Sequence, residues 1–189
     1  MLLIVGAFFY PVFLKDLVPI PADIIVGLYY PWFDDTRGFT VGVPVKNNIP
    51  SDVVSLILPQ KLFAAEQLHK GLIPFWNNLI LAGTPLLANF QSAVLYPLNI
   101  LWMFFTTIDA WIIQVILQPL LALTFTYLPL RNWSLSKISS LFGAISFAFS
   151  GFMLTWLEYN TLYHVMYWLP AMLLVIDKYI KSKNPLYLG

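Results

Sequence analysis

Gly71 to Asn99 reads GLIPFWNNLILAGTPLLANFQSAVLYPLN, with no charge after Lys70. Pro74, Gly83, Pro85 and Pro97 would each interrupt a helix, so the stretch is not a membrane span. It is also too apolar for a solvated linker. Such a loop must satisfy its backbone by packing, and the surfaces that suit it are a membrane and neighbouring helices. The rest of the chain is read from here, as membrane spans that hold this loop and the segment before it on one face.

Composition agrees. Hydrophobic residues make up 59% of the chain and charged residues only 10%, the balance of a membrane protein. Aromatic residues reach 17%, which fits a chain with much of its length at the interface, where Trp and Tyr anchor. A net charge of +1 gives no reason to expect nucleic acid. The sequence has no cysteine, which excludes disulfides, thiolate catalysis and Cys-ligated zinc. His69 and His164 are the two histidines, too few for a His-rich metal site. No P-loop, dinucleotide fingerprint, nucleophile elbow or HExxH pattern occurs.

The predicted fold is all-α, a polytopic helical membrane protein with four spans and a long outer loop. Residues 1–20 form the first span; the apolar start lacks the charged region and cleavage site of a secretory signal. Residues 21–108 form the outer loop. Within it, Val54, Ile57, Leu62, Ala65 and Leu68 recur at helical spacing, which predicts an amphipathic interfacial helix over about 52–70. Pro59 must kink or restart that helix, and Gly71 ends it. A second flat segment is expected at 93–105. Residues 109–189 hold three further spans, 110–130, 138–157 and 161–176, and the chain reads as the N-terminal part of a longer protein.

The orientation follows from charge. If 93–105 lies flat, then Arg131, Lys137, Lys178, Lys181 and Lys183 all fall opposite the long loop. The positive-inside rule then puts those residues in the cytoplasm and the loop outside. The same model leaves Met1 inside and puts Glu158 on the face that carries Asp52.

Several residues in this arrangement could carry chemistry. Asp52 reads as the cap of the interfacial helix and, compatibly with that, as a carboxylate held at the membrane face as a general base or metal ligand. Glu158 is either a solvated turn residue or a functional acid at a membrane boundary. His164 could be a ligand, a proton shuttle or a buried His bonded to a carbonyl. Asp34 and Asp35 resemble acidic pairs that hold divalent metal, although adjacent carboxylates in a turn are commonly just solvated. Lys61, Lys70 and Arg37 could meet a lipid phosphate or simply snorkel. Trp76, Asn77, Asn78, Asn89 and Gln91 are hydrogen-bonders beside aromatics, as in sugar sites; turn formation and interface anchoring are the bland alternatives.

Through Gly71, Pro74, Trp76, Asn77, Gly83, Pro85, Ala88, Asn89, Gln91, Tyr96, Pro97 and Asn99 the chain resembles the YfhO-like family of bacterial integral membrane proteins. That family typically shows a G-x-x-P-x-W-N-P-x-x-x-x-G-x-P-x-x-A-N-x-Q-x-x-x-x-Y-P-x-N run. Asn78 departs from it, standing where Pro is usual. Ser51-Asp52 with Pro59-Gln60, Ser150-Gly151-Phe152 and Trp168-Leu169-Pro170 also resemble the family. The family is similar to the GT-C class of glycosyltransferases, which take a sugar from a polyprenyl-phosphate donor on the outer face of the bacterial cytoplasmic membrane.

The resemblance implies an inverting transfer in which Asp52, matching the first acidic residue of that class, takes the proton of an acceptor hydroxyl. Glu158 is the candidate for a second acidic residue by position alone. The leaving phosphate needs a cation, for which Lys61 is the candidate. Some class members use a divalent metal; here Asp52, Glu158, Asp34 and Asp35 are the carboxylates that would hold Mg or Mn. The implied partners are membrane lipid and the lipid-linked sugar. Two other readings stay open: a transporter or lipid flippase, and a non-catalytic assembly subunit. Few polar residues in the spans, among them Gln114, Gln118, Ser146 and Ser150, speak against transport.

Overall fold

The structure, a computed structural model, describes residues 1–183. It is mostly helical, 62% helix against 2% strand, as the all-α expectation requires. In chain order the helices are α1 (Leu2–Phe8), α2 (Tyr10–Lys15), α3 (Asp23–Leu28), α4 (Leu58–His69), α5 (Leu101–Phe104), α6 (Thr107–Asn132), α7 (Lys137–Ala148), α8 (Gly151–Leu157), α9 (Leu162–Met166) and α10 (Trp168–Ser182). They cluster into two compact units: Met1–Leu17 with Val115–Gly189, called here the helical unit, and Val18–Gln114, the loop unit. The loop unit therefore takes in the expected outer segment and the first two turns of α6.

Among the described residues, α6 alone is long and apolar enough to cross a membrane by itself, and α7 with α8 makes a second candidate if that bent pair is one span. The expected first span is instead two short helices. Pro11 has no amide hydrogen and crowds the carbonyl four residues back, so α1 ends at Phe8 and α2 restarts with the proline near its first position. The expected span 138–157 breaks likewise. Ser150 accepts a hydrogen bond from the Met153 amide, so a new helix starts there and α8 leaves α7 at 52°. The last expected span is α9 followed by α10, which continues to Ser182.

In the helical unit, Ser140, Ala144 and Ala148 form a buried stripe of small residues down one face of α7. Asn132 at the end of α6 donates to the Asp177 carboxylate on α10, and Lys181 pairs with the same carboxylate at 2.7 Å. Those two helix ends therefore lie together.

The loop unit is built on α4 and the segment that follows it. A π-helical turn, Val53–Ile57, precedes α4, and Pro59 sits at its start. The wider turn accommodates a residue that cannot donate to the ladder, which is how the chain meets the demand of Pro59 without ending the helix. Val53, Val54, Ile57, Ala64 and Ala65 are buried along one face. At the other end, the Gly71 amide donates to Leu68 O and the Leu72 amide to Gln67 O, both at 2.9 Å, with Gly71 at φ +72°. That is a Schellman stop at the glycine expected to end the helix.

After it, Trp76–Asn77 pairs antiparallel with Thr84–Pro85. Gly83 sits at φ +119°, and a Cβ there would collide with the Trp76 indole. The flat segment expected over 93–105 is shorter: a 3-10 turn, Pro97–Ile100, runs into α5.

Candidate functional site

Asp52 stands at the head of the helix, in helical backbone, and its carboxylate makes no cap bond. Asp52 therefore makes no side-chain cap: Pro50 O, two positions before Asp52, already receives the first helical amide, from Val53. The side chain is exposed. One turn on, Val54 and Ser55 line an open apolar pocket of about 370 Å³ together with Ile25, Tyr29 and Trp32. Gly27, in the middle of α3, lets that helix pack close: a Cβ there would overlap the Val45 side chain. The Asp23 carboxylate accepts the Lys46 amide at 2.9 Å and fastens the intervening loop.

Lys61, read from sequence as a surface cation, is only 5% exposed. Its ammonium donates to Gln114 Oε1 at 3.1 Å and lies 6.0 Å from the ring centres of both Trp102 and Trp111. The stem of a lysine is apolar, so its place in the helical stripe between Ile57 and Ala64 buries it. Burial lowers its ammonium from 10.5 to about 7. Gln114 in turn donates to Leu98 O and Asn99 Oδ1, each at 2.9 Å. Asn99 donates onward to Ala93 O, and Trp111 donates to Pro19 O at 2.9 Å. A continuous polar chain thus runs from α4 to the end of the loop.

The uncharged residues of that loop fold it. Asn77 is buried and its Oδ1 accepts the Leu79 amide at 2.9 Å; Asn89 Oδ1 accepts the Gln91 amide at 3.0 Å. Both are Asx turns, the bland alternative for these asparagines. The Ser92 hydroxyl reaches Leu86 O at 2.8 Å and Asn89 O at 2.7 Å. Trp76, Asn78 and Gln91 remain exposed. Asp34 and Asp35 are exposed as well, and Asp35 is engaged by Arg37, through its amide at 3.1 Å and its guanidinium at 3.6 Å. His69 bonds the Trp102 carbonyl at 3.2 Å, and Lys70 pairs with Glu66 at 2.6 Å as the i,i+4 spacing predicts.

In the helical unit, Glu158 caps α8 and is half-buried. His164 is a buried histidine bonded to a carbonyl, in this case the side-chain carbonyl of Asn160. Its Nε2 lies 2.6 Å from Asn160 Oδ1, which also accepts from Gln118 Nε2 at 3.0 Å. An amide oxygen can only accept, so the His164 Nε2–H donates to it. Its Nδ1 lies 3.2 Å from the Tyr167 hydroxyl. Asn160 sits at φ +53°, a backbone state that asparagine tolerates better than most residues.

Among the described residues, no group of three or more His, Cys, Asp or Glu side chains gathers to hold a metal ion. Sequence reasoning missed the cage around Lys61. The available signal was Gln114, a polar residue early in an apolar helix. The chain matches no protein-family model, no curated protein and no solved structure.

Proposed function

We propose that this chain is part of a membrane glycosyltransferase that moves a sugar from a polyprenyl-phosphate donor to an acceptor outside the cytoplasmic membrane. The observation that carries the reading is Asp52, an exposed carboxylate at a helix start, one turn from an open apolar pocket of about 370 Å³. A general base needs an accessible carboxylate, and a lipid-linked donor needs an apolar groove beside it. The resemblance of 71–99 to the YfhO-like family supports the same reading, and so does the expected outer placement of this segment. In this mechanism Asp52 takes the proton of the acceptor hydroxyl, the hydroxyl oxygen attacks the anomeric carbon, and polyprenyl phosphate leaves with the electron pair of the broken bond. Exposed cations such as Arg37, or a divalent metal, would balance its charge; Lys61, buried against Gln114, is left out of this role.

The four-span topology belongs to the same proposal. Its support in the helical unit is the bond from Asn132 to Asp177, which joins the two helix ends that the charge rule puts on the cytoplasmic side.

Asp52→Asn tests the chemistry. The exchange keeps size and removes the base. Sugar transfer is expected to fall at least about 100-fold, the usual contribution of a general base, with expression and Tm unchanged. Retained transfer overturns the assignment of Asp52. Uptake of substrate into vesicles without a glycosidic product would replace the enzyme reading with transport.

A further inference from the structure

In the helical unit an open groove of about 310 Å³ lies between α6 and α7. Tyr127 of α6, Lys137, Ile138 and Leu141 of α7, and Met1 line it. α7 packs closely on α6 at Gly143, where a Cβ would stand 2.8 Å from the Leu130 side chain. Most of the lining is apolar, and Ile138 is largely exposed. One cation stands in it. Lys137 is exposed, and among the described residues no carboxylate pairs with it. Asp177, the acid that Asn132 holds at this end of α6, is taken by Lys181. Tyr127 is half-buried, and its hydroxyl makes no hydrogen bond to a described residue. The turn from α6 to α7 also carries Arg131 and an exposed Trp133. Tryptophan beside basic residues is the composition of a boundary between membrane and water.

We infer that this groove holds one anionic glycerophospholipid, with an acyl chain along Tyr127, Ile138 and Leu141 and the headgroup phosphate on the Lys137 ammonium. Charge selects the headgroup. An unpaired cation in an apolar groove complements a molecule with one anionic end and a long apolar tail. In the proposed topology the turn from α6 to α7 lies on the cytoplasmic side, where the membrane surface is negative and basic pockets between helices collect anionic headgroups. Size selects the tail. One turn of helix, roughly 10 Å across and about 5.4 Å tall, already exceeds the groove, so a slender acyl chain suits it better than a further helix. The bound lipid would tie α6 to α7 next to the turn that joins them. The inference rests on the proposed membrane topology and is independent of sugar transfer by Asp52.

The test uses the full chain in a neutral maltoside detergent, where orientation in a membrane plays no part. Dioleoyl phosphatidylglycerol, dioleoyl phosphatidylcholine and inorganic phosphate are titrated separately. Phosphatidylglycerol is expected to raise Tm saturably, by about 4 °C once it stands tenfold above its Kd. That Kd is expected about fivefold below the Kd of phosphatidylcholine, which has the same chains and no net charge; one lysine near the headgroup supplies such a preference. Inorganic phosphate is expected to leave Tm unchanged. Lys137→Gln is expected to bring the two lipids level, and Leu141→Trp, which fills the groove, to weaken both. Equal effects of the two lipids on the parent protein, including no effect of either, overturn the inference, and that comparison needs no variant. An equal rise with inorganic phosphate overturns it by making the lipid tail irrelevant. A preference that survives Lys137→Gln puts the headgroup elsewhere and overturns it as well. None of these results touches Asp52 or the topology, which stand or fall by sugar transfer and by thiol labelling.

Discussion

Lys61 brings an ammonium out of water into a cage of indole and amide groups, and burial lowers it from 10.5 to about 7. The consequence for stability has a definite sign. Between pH 7 and 10.5 the unfolded chain binds more protons at this residue than the folded one does, so its contribution to stability rises with pH across that window. Below pH 7 the cost of burying the charge is fully present. Lys61→Met, which fills the same space without a charge, is therefore expected to have a higher Tm than the parent at pH 6.5. That advantage should shrink steadily up to pH 10. Thermal unfolding of both proteins across the series checks it, and parallel curves would mean that the ammonium stays hydrated. The helical spacing of 57, 61 and 64 was legible in the sequence, but the fate of the lysine was not. It depends on Gln114, 53 positions away, and no local pattern reports a partner at that distance. Asp52 shows the reverse: its helix was foreseen, and its freedom from capping became clear only once Pro50 was seen to accept the first amide.

At the scale of elements, glycine and proline carried most of what could be read. Gly71 was expected to stop α4 and does so. Pro59 was expected to disturb the helix, and the π-turn before it is how the chain responds. Pro11 and Ser150 each divide an expected span into two shorter helices, a helix-breaking and a capping signal that the apolar composition of those stretches masks in the sequence. The loop itself allows a comparison of two glycines that both have positive φ. At Gly71, φ is +72° and a Cβ would meet open space, so alanine pays only for the left-handed backbone, about 1 kcal/mol. At Gly83, φ is +119° and the Cβ would also strike the Trp76 indole, so the two-stranded turn must open. Overlap of that kind adds about 1–3 kcal/mol. Gly83→Ala is thus expected to lower Tm clearly more than Gly71→Ala, and to raise the solvent accessibility of Trp76 as read by acrylamide quenching. Equal effects would show that the turn gives way without cost.

On the proposed membrane reading, the orientation of the whole molecule follows from the charge rule. The rule needs 93–105 to lie flat. The helical part of that region is only Pro97–Phe104, far below the roughly 20 residues that a span requires. In the proposed topology that keeps the loop on one side and makes α6 the next crossing. The cysteine-free sequence allows a direct check with single cysteines and a membrane-impermeant thiol reagent. Asn78 and Ser182 are suitable positions because both are exposed. Leu162, 40% exposed, suits the turn after α8 better than Asn160, which is buried and bonded to Gln118. Cysteines at positions 78 and 162 are expected to react in intact cells, and one at position 182 only after the membrane is opened. If position 162 reacts only after opening, α6 enters from the other side and Glu158 faces the cytoplasm. A second acidic residue for the outer-face transfer would then have to be sought elsewhere in the chain, while Asp52 would keep its place. If position 78 is the one that stays protected, the loop and its apolar pocket face inward. A donor presented on the outer face could not reach Asp52, and the glycosyltransferase reading would fall with it.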